Sequence, residues 1–556
     1  MVLPATILHP AGAGSVTRER VRAWLRGSLS AACQRRHGQV LRPHAECTTK
    51  GLPDFGVSAL LHRVKQPERV TRRLCSTCGN SMMFTPLALQ RFRNDPDGFF
   101  ATFKHQWLIS RDRPLELPGW HEHECDGWYL RHASDLPAMK LLGRNNERLG
   151  YLLGVAVDAA GRPLKGTIRL PLSPDDTDFA DGFQRFVEGC AGRYIVALLT
   201  PRYKRLFLDP VGDLAAVYDA EAGRAGSTNF IVQGRDFIDN PVIPYAMARD
   251  GRANYTMGHT RDRQVRRLLA SHYLDLDRME PVRHWPRPET DLTTRHDTDA
   301  VLAINDEITA RLRDIFSAML HSERVILPLS GGRDSRCLLG AGMPAIDQAE
   351  WLFTWRFHRQ SGQDSECAKK ICGVLGLPHR EFLYQKLTRP LKLQYLQRNG
   401  YAIFGTALES LAISESLPGG NVMVRGNIMG ILRATNWQRQ REGVLNLPHA
   451  LKRLRSGFSA AEQMEKFGPA YMDYYDSLPE NAQRKIYDIA WTDISLTHGQ
   501  GARSYGTPQN FIVNAFNDRR LLALAMQLPL AYRRSDAAYD RIIETTLPQL
   551  QGIPYV

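Results

Sequence analysis

Val325-Ile-Leu-Pro-Leu-Ser330-Gly-Gly-Arg-Asp334-Ser-Arg-Cys-Leu-Leu339 is the stretch on which the reading of this chain turns. A short apolar run of strand type ends at Ser330, a Ser-Gly-Gly-Arg-Asp-Ser turn follows, and the apolar residues after it suit a helix. Gly331 and Gly332 let the backbone approach a ligand with no Cβ in the way. The turn aims several N–H groups, and the positive end of the helix behind them, at one point. Such a point binds anions, above all phosphate. The stretch has no Lys and is shorter than the Lys-containing phosphate loop. An ordinary glycine turn is the competing reading. Six positions in a strand–turn–helix setting favour the anion cradle.

The same texture continues downstream. Trp351–Phe357 reads as a second strand and Asp364–Leu375 as a second helix. Arg380–Tyr384 gives a third strand, Ala407–Ser416 a helix and Val422–Gly426 a fourth strand, while Leu447–Val556 reads as mainly helical. Strands alternating with helices predict a parallel sheet covered on both faces. Ligands of such sheets sit at the C-terminal ends of strands, near the switch in strand order. The Ser330 turn, Arg356–Ser361 and Arg425–Asn427 all fall at such ends.

Upstream, Val301, Ile304, Ile308, Leu312, Ile315, Met319 and Leu320 make one helical stripe. A Pro-rich, charged linker from about Trp285 to Thr298 precedes it. Before the linker the chain is β-rich. Gly150–Asp158, Gly192–Thr200 and Arg205–Asp209 read as strands, and Val217-Tyr218 and Asn229–Val232 continue the pattern. The fold class is α/β, with an α+β first half.

A chain of 556 residues needs more than one core. Its apolar content of 43% and charged content of 23% are those of a globular protein, and no apolar run reaches a membrane span. The start lacks a basic segment followed by an apolar one, so no secretory signal is read and a cytoplasmic location is expected. The formal charge of +14 is unevenly placed: residues 1–81 carry 13 Lys and Arg against 4 Asp and Glu, the rest 59 against 54. The excess therefore belongs to an Arg-rich extension, residues 1–82, read as a disordered arm or as untranslated sequence upstream of Met82 or Met83. Nucleic acid is not an expected partner of the near-neutral body. Nine scattered Cys do not suggest a disulfide scaffold. Cys75 and Cys78 have half of a zinc spacing, with Cys33 and Cys47 as the remaining ligands if a metal binds there. Cys190 reads as core.

The order of parts resembles asparagine synthetase and its relatives, over roughly residues 120 to 550. The Ser330–Ser335 turn resembles the pyrophosphate loop of the ATP-pyrophosphatases. Leu208-Asp-Pro-Val-Gly212, Tyr273–Asp277 before Arg283-His-Trp-Pro286, Asp364–Leu377 and Phe516-Asn-Asp-Arg519 before Leu528-Pro529 match further family segments loosely. The resemblance implies an Ntn-like β-rich sandwich of glutaminase type over residues 83–295. A doubly wound ATP-pyrophosphatase domain with a helical C-terminal part would then occupy residues 296–556. It also implies ATP and Mg2+ as cofactors and a small-molecule or peptide carboxylate as substrate, activated as an acyl-adenylate and captured by an amine. A homodimer is compatible with it, and a membrane partner is not expected.

Carried over by position, Ser330, Gly331, Gly332, Asp334 and Ser335 would grip the nucleotide. Asp334 and Asp364 would face magnesium, Arg336 would add charge toward the phosphates, and Gly426 would line the adenine or acyl site. Asp334 and Arg336 are the catalytic candidates. Two departures stand out. No Cys follows Met1 or Met83, so the first half is a degenerate glutaminase. The family's acidic pair falls on Gly430 and Ile431, and no Lys follows Lys485, leaving Arg533, Arg534 or Arg541 as electrostatic substitutes that cannot shuttle a proton. The leading expectation is an AMP-forming amide ligase without glutaminase. The alternatives are a nucleotide-binding scaffold without catalysis, and a tRNA-modifying ATP-pyrophosphatase.

Overall fold

The computed structural model describes residues 86–113, 119–409 and 415–556. The basic extension and Cys33, Cys47, Cys75 and Cys78 lie outside the described residues.

The first half carries β1 (Trp107–Ser110), β2 (Trp120–Cys125), β3 (Trp128–Ala133), β4 (Ala138–Leu142), β5 (Arg148–Val157), β6 (Thr167–Arg169), β7 (Ala191–Leu199), β8 (Lys204–Leu208), β9 (Val217–Asp219), β10 (Arg224–Gly226), β11 (Val265–Arg267), β12 (His272–Asp275) and β13 (Glu280–Arg283). They form two sheets, in the orders β11-β9-β10-β1-β3-β2 and β13-β12-β8-β7-β5-β4-β6. Pairing is antiparallel throughout, except that β4 and β6 run parallel. The long pair β5 and β7 is buried almost end to end, so it reads as continuous apolar sequence. Gly154 allows the close approach of these two strands: at φ +112°, a Cβ there would stand 2.2 Å from the Arg193 carbonyl oxygen. Phe179, Phe183 and Val187 of helix Phe179–Glu188 cover the second sheet.

Asn229–Val232 is a correction. It is one buried helical turn, not a strand, with the Ile231 and Val232 N–H groups on the Thr228 carbonyl. Packing of Phe230, Ile231 and Val232 beneath Phe99 and Phe103 overrides their β-propensity.

The predicted helix spans Thr298–Ser322, capped by the Asp297 carboxylate accepting from the Ala300 N–H, and its apolar stripe is buried. Then come β14 (Val325–Pro328), β15 (Trp351–Arg356), β16 (His379–Leu383), β17 (Val422–Arg425) and β18 (Phe511–Asn514). They form an all-parallel sheet in the order β16-β15-β14-β17-β18. The order reverses between β14 and β17, so a crevice is expected at their C-terminal ends. β18 is a strand within the C-terminal part that otherwise is helical, as its mainly helical reading expects. Beyond it, Arg193 of β7 lies over the Phe511 ring at 4.4 Å and donates to the Ile512 carbonyl at 3.2 Å.

This contact joins the parallel sheet to the first half. Asn517 donates to the Asp209 carboxylate and to the Gly192 carbonyl, and Arg519 donates to the Leu208 carbonyl at 3.0 Å. Thus Leu208–Gly212 and Phe516–Arg519 meet face to face. Met83–Val556 accordingly forms one compact unit. Among the described residues no helix is long and apolar enough to cross a membrane.

Candidate functional site

At the end of β14 the Leu329 N–H donates to the Phe353 carbonyl at 2.7 Å, and the chain then leaves the sheet. The Ser330 and Ser335 hydroxyls lie 3.1 Å apart, and the Gly332 N–H donates to Ser330 Oγ at 3.2 Å. Ser335 Oγ also receives the Ser330 N–H at 3.2 Å. The two hydroxyls thereby fold the turn onto itself. Helix Arg333–Gly342 follows with no side-chain cap, so its first-turn N–H groups offer positive potential to an anion.

The turn borders a cavity of about 240 Å³. Ser330, Asp334, Ser335, Asp364, Arg425 and Gly426 all line it. Gly426 leaves little room for a side chain, because a Cβ would stand 3.2 Å from the Asp334 carbonyl oxygen. Burial holds the Asp334 carboxyl above its usual range, against the downward pull of Tyr539 and Arg433. A carboxylate so placed gains from a cation.

Asp364 is brought in by the fold rather than by its position on a helix end. Helix Arg359–Leu375 is capped by His358 and Ser361. Asp364 instead reaches across and accepts the Gly331 N–H at 2.9 Å. One donor of the expected phosphate cradle is thus held by the protein's own carboxylate.

Arg336 is placed otherwise than expected. Its side chain is fully buried and does not line the cavity. It donates to the carbonyls of Ile553, Pro554 and Gly331, at 2.8, 2.6 and 3.2 Å. It therefore anchors the segment at residues 553–556 against the turn. Val556 packs on Gly331, where a Cβ would meet its side chain at 2.5 Å. Tyr555 is stacked by Arg333 at 3.8 Å and Arg336 at 4.4 Å. Beside this tail lies an open groove of about 1190 Å³, which shares Phe357 with the smaller cavity.

The proposed arginine substitutes for the late Lys are also elsewhere. Arg533 is buried on Asp488 and the Ile431 carbonyl, Arg534 donates to the Gln440 carbonyl, and Arg541 pairs with Asp306 at the surface. Among the described residues the cation that lines the cavity is Arg425. Burial, and Arg503 beside it, lower its pKa to about 10. Its position at the end of β17 was the signal for it in the sequence. Lys485 is held by Glu442 at 2.8 Å. Cys190 is buried with its thiol pushed up to about 12, so it is core and no nucleophile.

Two carboxylates fit a magnesium ion that takes its remaining ligands from phosphate and water. Among the described residues no group of three or more His, Cys, Asp and Glu side chains converges into a self-sufficient metal site. No family model matches the chain, and no curated protein matches it.

Proposed function

We propose that this protein is an ATP-dependent, AMP-forming amide-bond ligase of asparagine synthetase type, with a degenerate glutaminase-like first half. One observation carries the reading. The Ser330–Ser335 turn stands at the strand-order switch of a parallel sheet, with Asp334 and Asp364 lining the same cavity. Open α/β sheets bind their ligands at this place.

ATP is a substrate in this reading. A carboxylate oxygen bonds to the α-phosphorus, the bond from that phosphorus to the bridging oxygen breaks, and pyrophosphate leaves with the electron pair. An amine then attacks the acyl carbon, the bond to AMP breaks, and the nitrogen gives up one proton to solvent or a base. Mg2+, when bound, neutralises charge on the leaving pyrophosphate. The chain's own part is to hold that charge: the Ser330 and Ser335 hydroxyls and the first-turn N–H groups face it, and Arg425 adds a cation. Asp334, uneasy when charged and buried, is the natural partner for magnesium. The adjoining groove at Phe357 supplies room for the rest of the nucleotide.

The test is pyrophosphate release from ATP and Mg2+ over a panel of carboxylates and amines. Asp334→Asn lowers the rate about 100-fold or more, the scale expected when one preorganised electrostatic contact is lost. Absence of any ATP binding, with Mg2+ present, contradicts the reading.

A second reading, a nucleotide-binding scaffold without catalysis, draws on Gly430 and Ile431. Gly430 lies against the Trp491 ring, and the Ile431 carbonyl is held by Arg533. In that case ATP binds and no carboxylate elicits pyrophosphate.

A further inference from the structure

Arg336 belongs to the turn but faces away from its cavity, and its side chain is enclosed. Nη1 donates to the Ile553 carbonyl at 2.8 Å. Nη2 donates to the Pro554 carbonyl at 2.6 Å and to the Gly331 carbonyl at 3.2 Å. The planar fork thus ties one peptide of the turn to the segment Ile553–Val556.

The Gly331 carbonyl is held a second time, by the Val556 N–H at 3.3 Å. That carbonyl shares its peptide with the Gly332 N–H. The peptide is trans, so the two groups point in opposite directions. Fixing the carbonyl toward Arg336 and Val556 therefore turns the Gly332 N–H to the other side, where it donates to Ser330 Oγ at 3.2 Å. Ser330 lines the cavity. A flip of this peptide takes the φ of Gly332 from −81° to positive values, a region that glycine enters freely. The flipped peptide would turn its carbonyl, the wrong end of the dipole, toward an anion at the turn. Two neighbouring glycines leave that choice to outside contacts, and the two donors on the Gly331 carbonyl make it.

The segment itself is seated on the turn. Val556 packs on Gly331, and Cys367 Sγ donates to the Pro554 carbonyl at 3.6 Å. Tyr555 is stacked by Arg333 and Arg336, and its hydroxyl donates to the Asp540 carboxylate at 3.2 Å. Pro554, Tyr555 and Val556 are nonetheless exposed. The segment adds little to the core, while its contacts converge on the turn.

We propose that Arg336 and Ile553–Val556 form a brace that orients the Gly331–Gly332 peptide, so that the Gly332 N–H is presented to the pyrophosphate end of a bound nucleotide. Arg336 is then a positioning residue. It acts on the anion through the peptide and not by its own charge. The identity of the anion rests on the ligase reading above.

The test is calorimetric titration of the full chain and its variants with inorganic pyrophosphate and Mg2+, with a thermal melt of each protein. Arg336→Met removes the fork and should weaken pyrophosphate binding by about tenfold or more, the scale of one lost hydrogen bond to a charged group. Deleting residues 553–556 removes the Val556 donor and the carbonyls that hold the fork, and should weaken binding by about fivefold or more. Those residues are largely exposed, so the deletion serves even if Arg336→Met does not fold. A purely structural role would lower the melting temperature and leave the affinity of the folded protein unchanged, and that result overturns the proposal. So does tighter binding after the deletion, which would make the segment a plug. A wild-type chain that binds neither pyrophosphate nor MgATP overturns the ligase reading, and the brace with it. Pyrophosphate binding that both variants weaken, with no carboxylate turned over, overturns the ligase reading alone and upholds the brace.

Discussion

Arg533 and Arg267 are both buried guanidinium groups in one compact unit, and they are treated in opposite ways. Arg533 makes two bonds to Asp488, at 2.7 and 2.8 Å, and also donates to the Ile431 carbonyl. Arg267 has an orphaned Nη1, and among the described residues no carboxylate is paired with it. The first is finished structure: its charge is cancelled and its donors are used within the chain. The second is left with an unsatisfied buried donor. The Ser330 turn stands between these extremes, since the Asp364 carboxylate already holds the Gly331 N–H.

The contrast breaks most readily at Arg533. Arg533→Leu strands the buried Asp488 charge and should cost about 3–5 kcal/mol of unfolding free energy, measured by denaturant titration. A change below about 1 kcal/mol would mean that the pair is not structural. Arg267→Met is expected to act the other way. Removing an unpaired buried charge should leave stability unchanged or raise it by about 1 kcal/mol. If Arg267→Met destabilises as much as Arg533→Leu, Arg267 has an internal partner and the contrast fails.

A smaller effect sharpens the same point through pH. His259 faces Arg266 and Asn240, and burial, then Arg266, lowers its pKa to about 4. Its folded pKa is below the unfolded value of about 6.5, so the unfolded chain takes the proton first. The stability this neutral imidazole contributes is present above pH 6.5 and is lost as pH falls toward 4. Melting temperatures between pH 7 and 4 should decline, and His259→Gln should flatten the decline. An unchanged slope in His259→Gln would place the titration elsewhere.

Much of the C-terminal sheet was legible in the sequence because apolar runs of adequate length are bounded by clear turns. β14, β15, β16 and β17 fall within a residue or two of their expected bounds, and the helix stripe from Val301 to Leu320 is buried as its spacing requires. β18 was not legible. Phe511–Asn514 is too short for a period, and only its pairing with β17 distinguishes it from a helical fragment. Asn229–Val232 shows the opposite failure, where packing overrode a strand-like composition.

The site was legible in its loop and not in its surroundings. Ser330, Asp334 and Ser335 face one cavity because the strand–turn–helix local geometry puts them there. Arg336, one position further along the helix, points to the tail at Ile553 and Pro554 instead. Nothing in one chain's spacing separates those two outcomes. Arg267, Arg503 and His498 line one cavity from three separate elements, so no motif announces it.

Hydrogen exchange of the Ser330–Ser335 segment decides whether this turn holds a triphosphate. On addition of MgATP, amides in a peptide covering Ser330–Ser335 should exchange more slowly, as bound phosphate takes up their N–H groups and Asp364 releases Gly331. Unchanged exchange there at saturating MgATP, or protection confined to other parts of the chain, would contradict it.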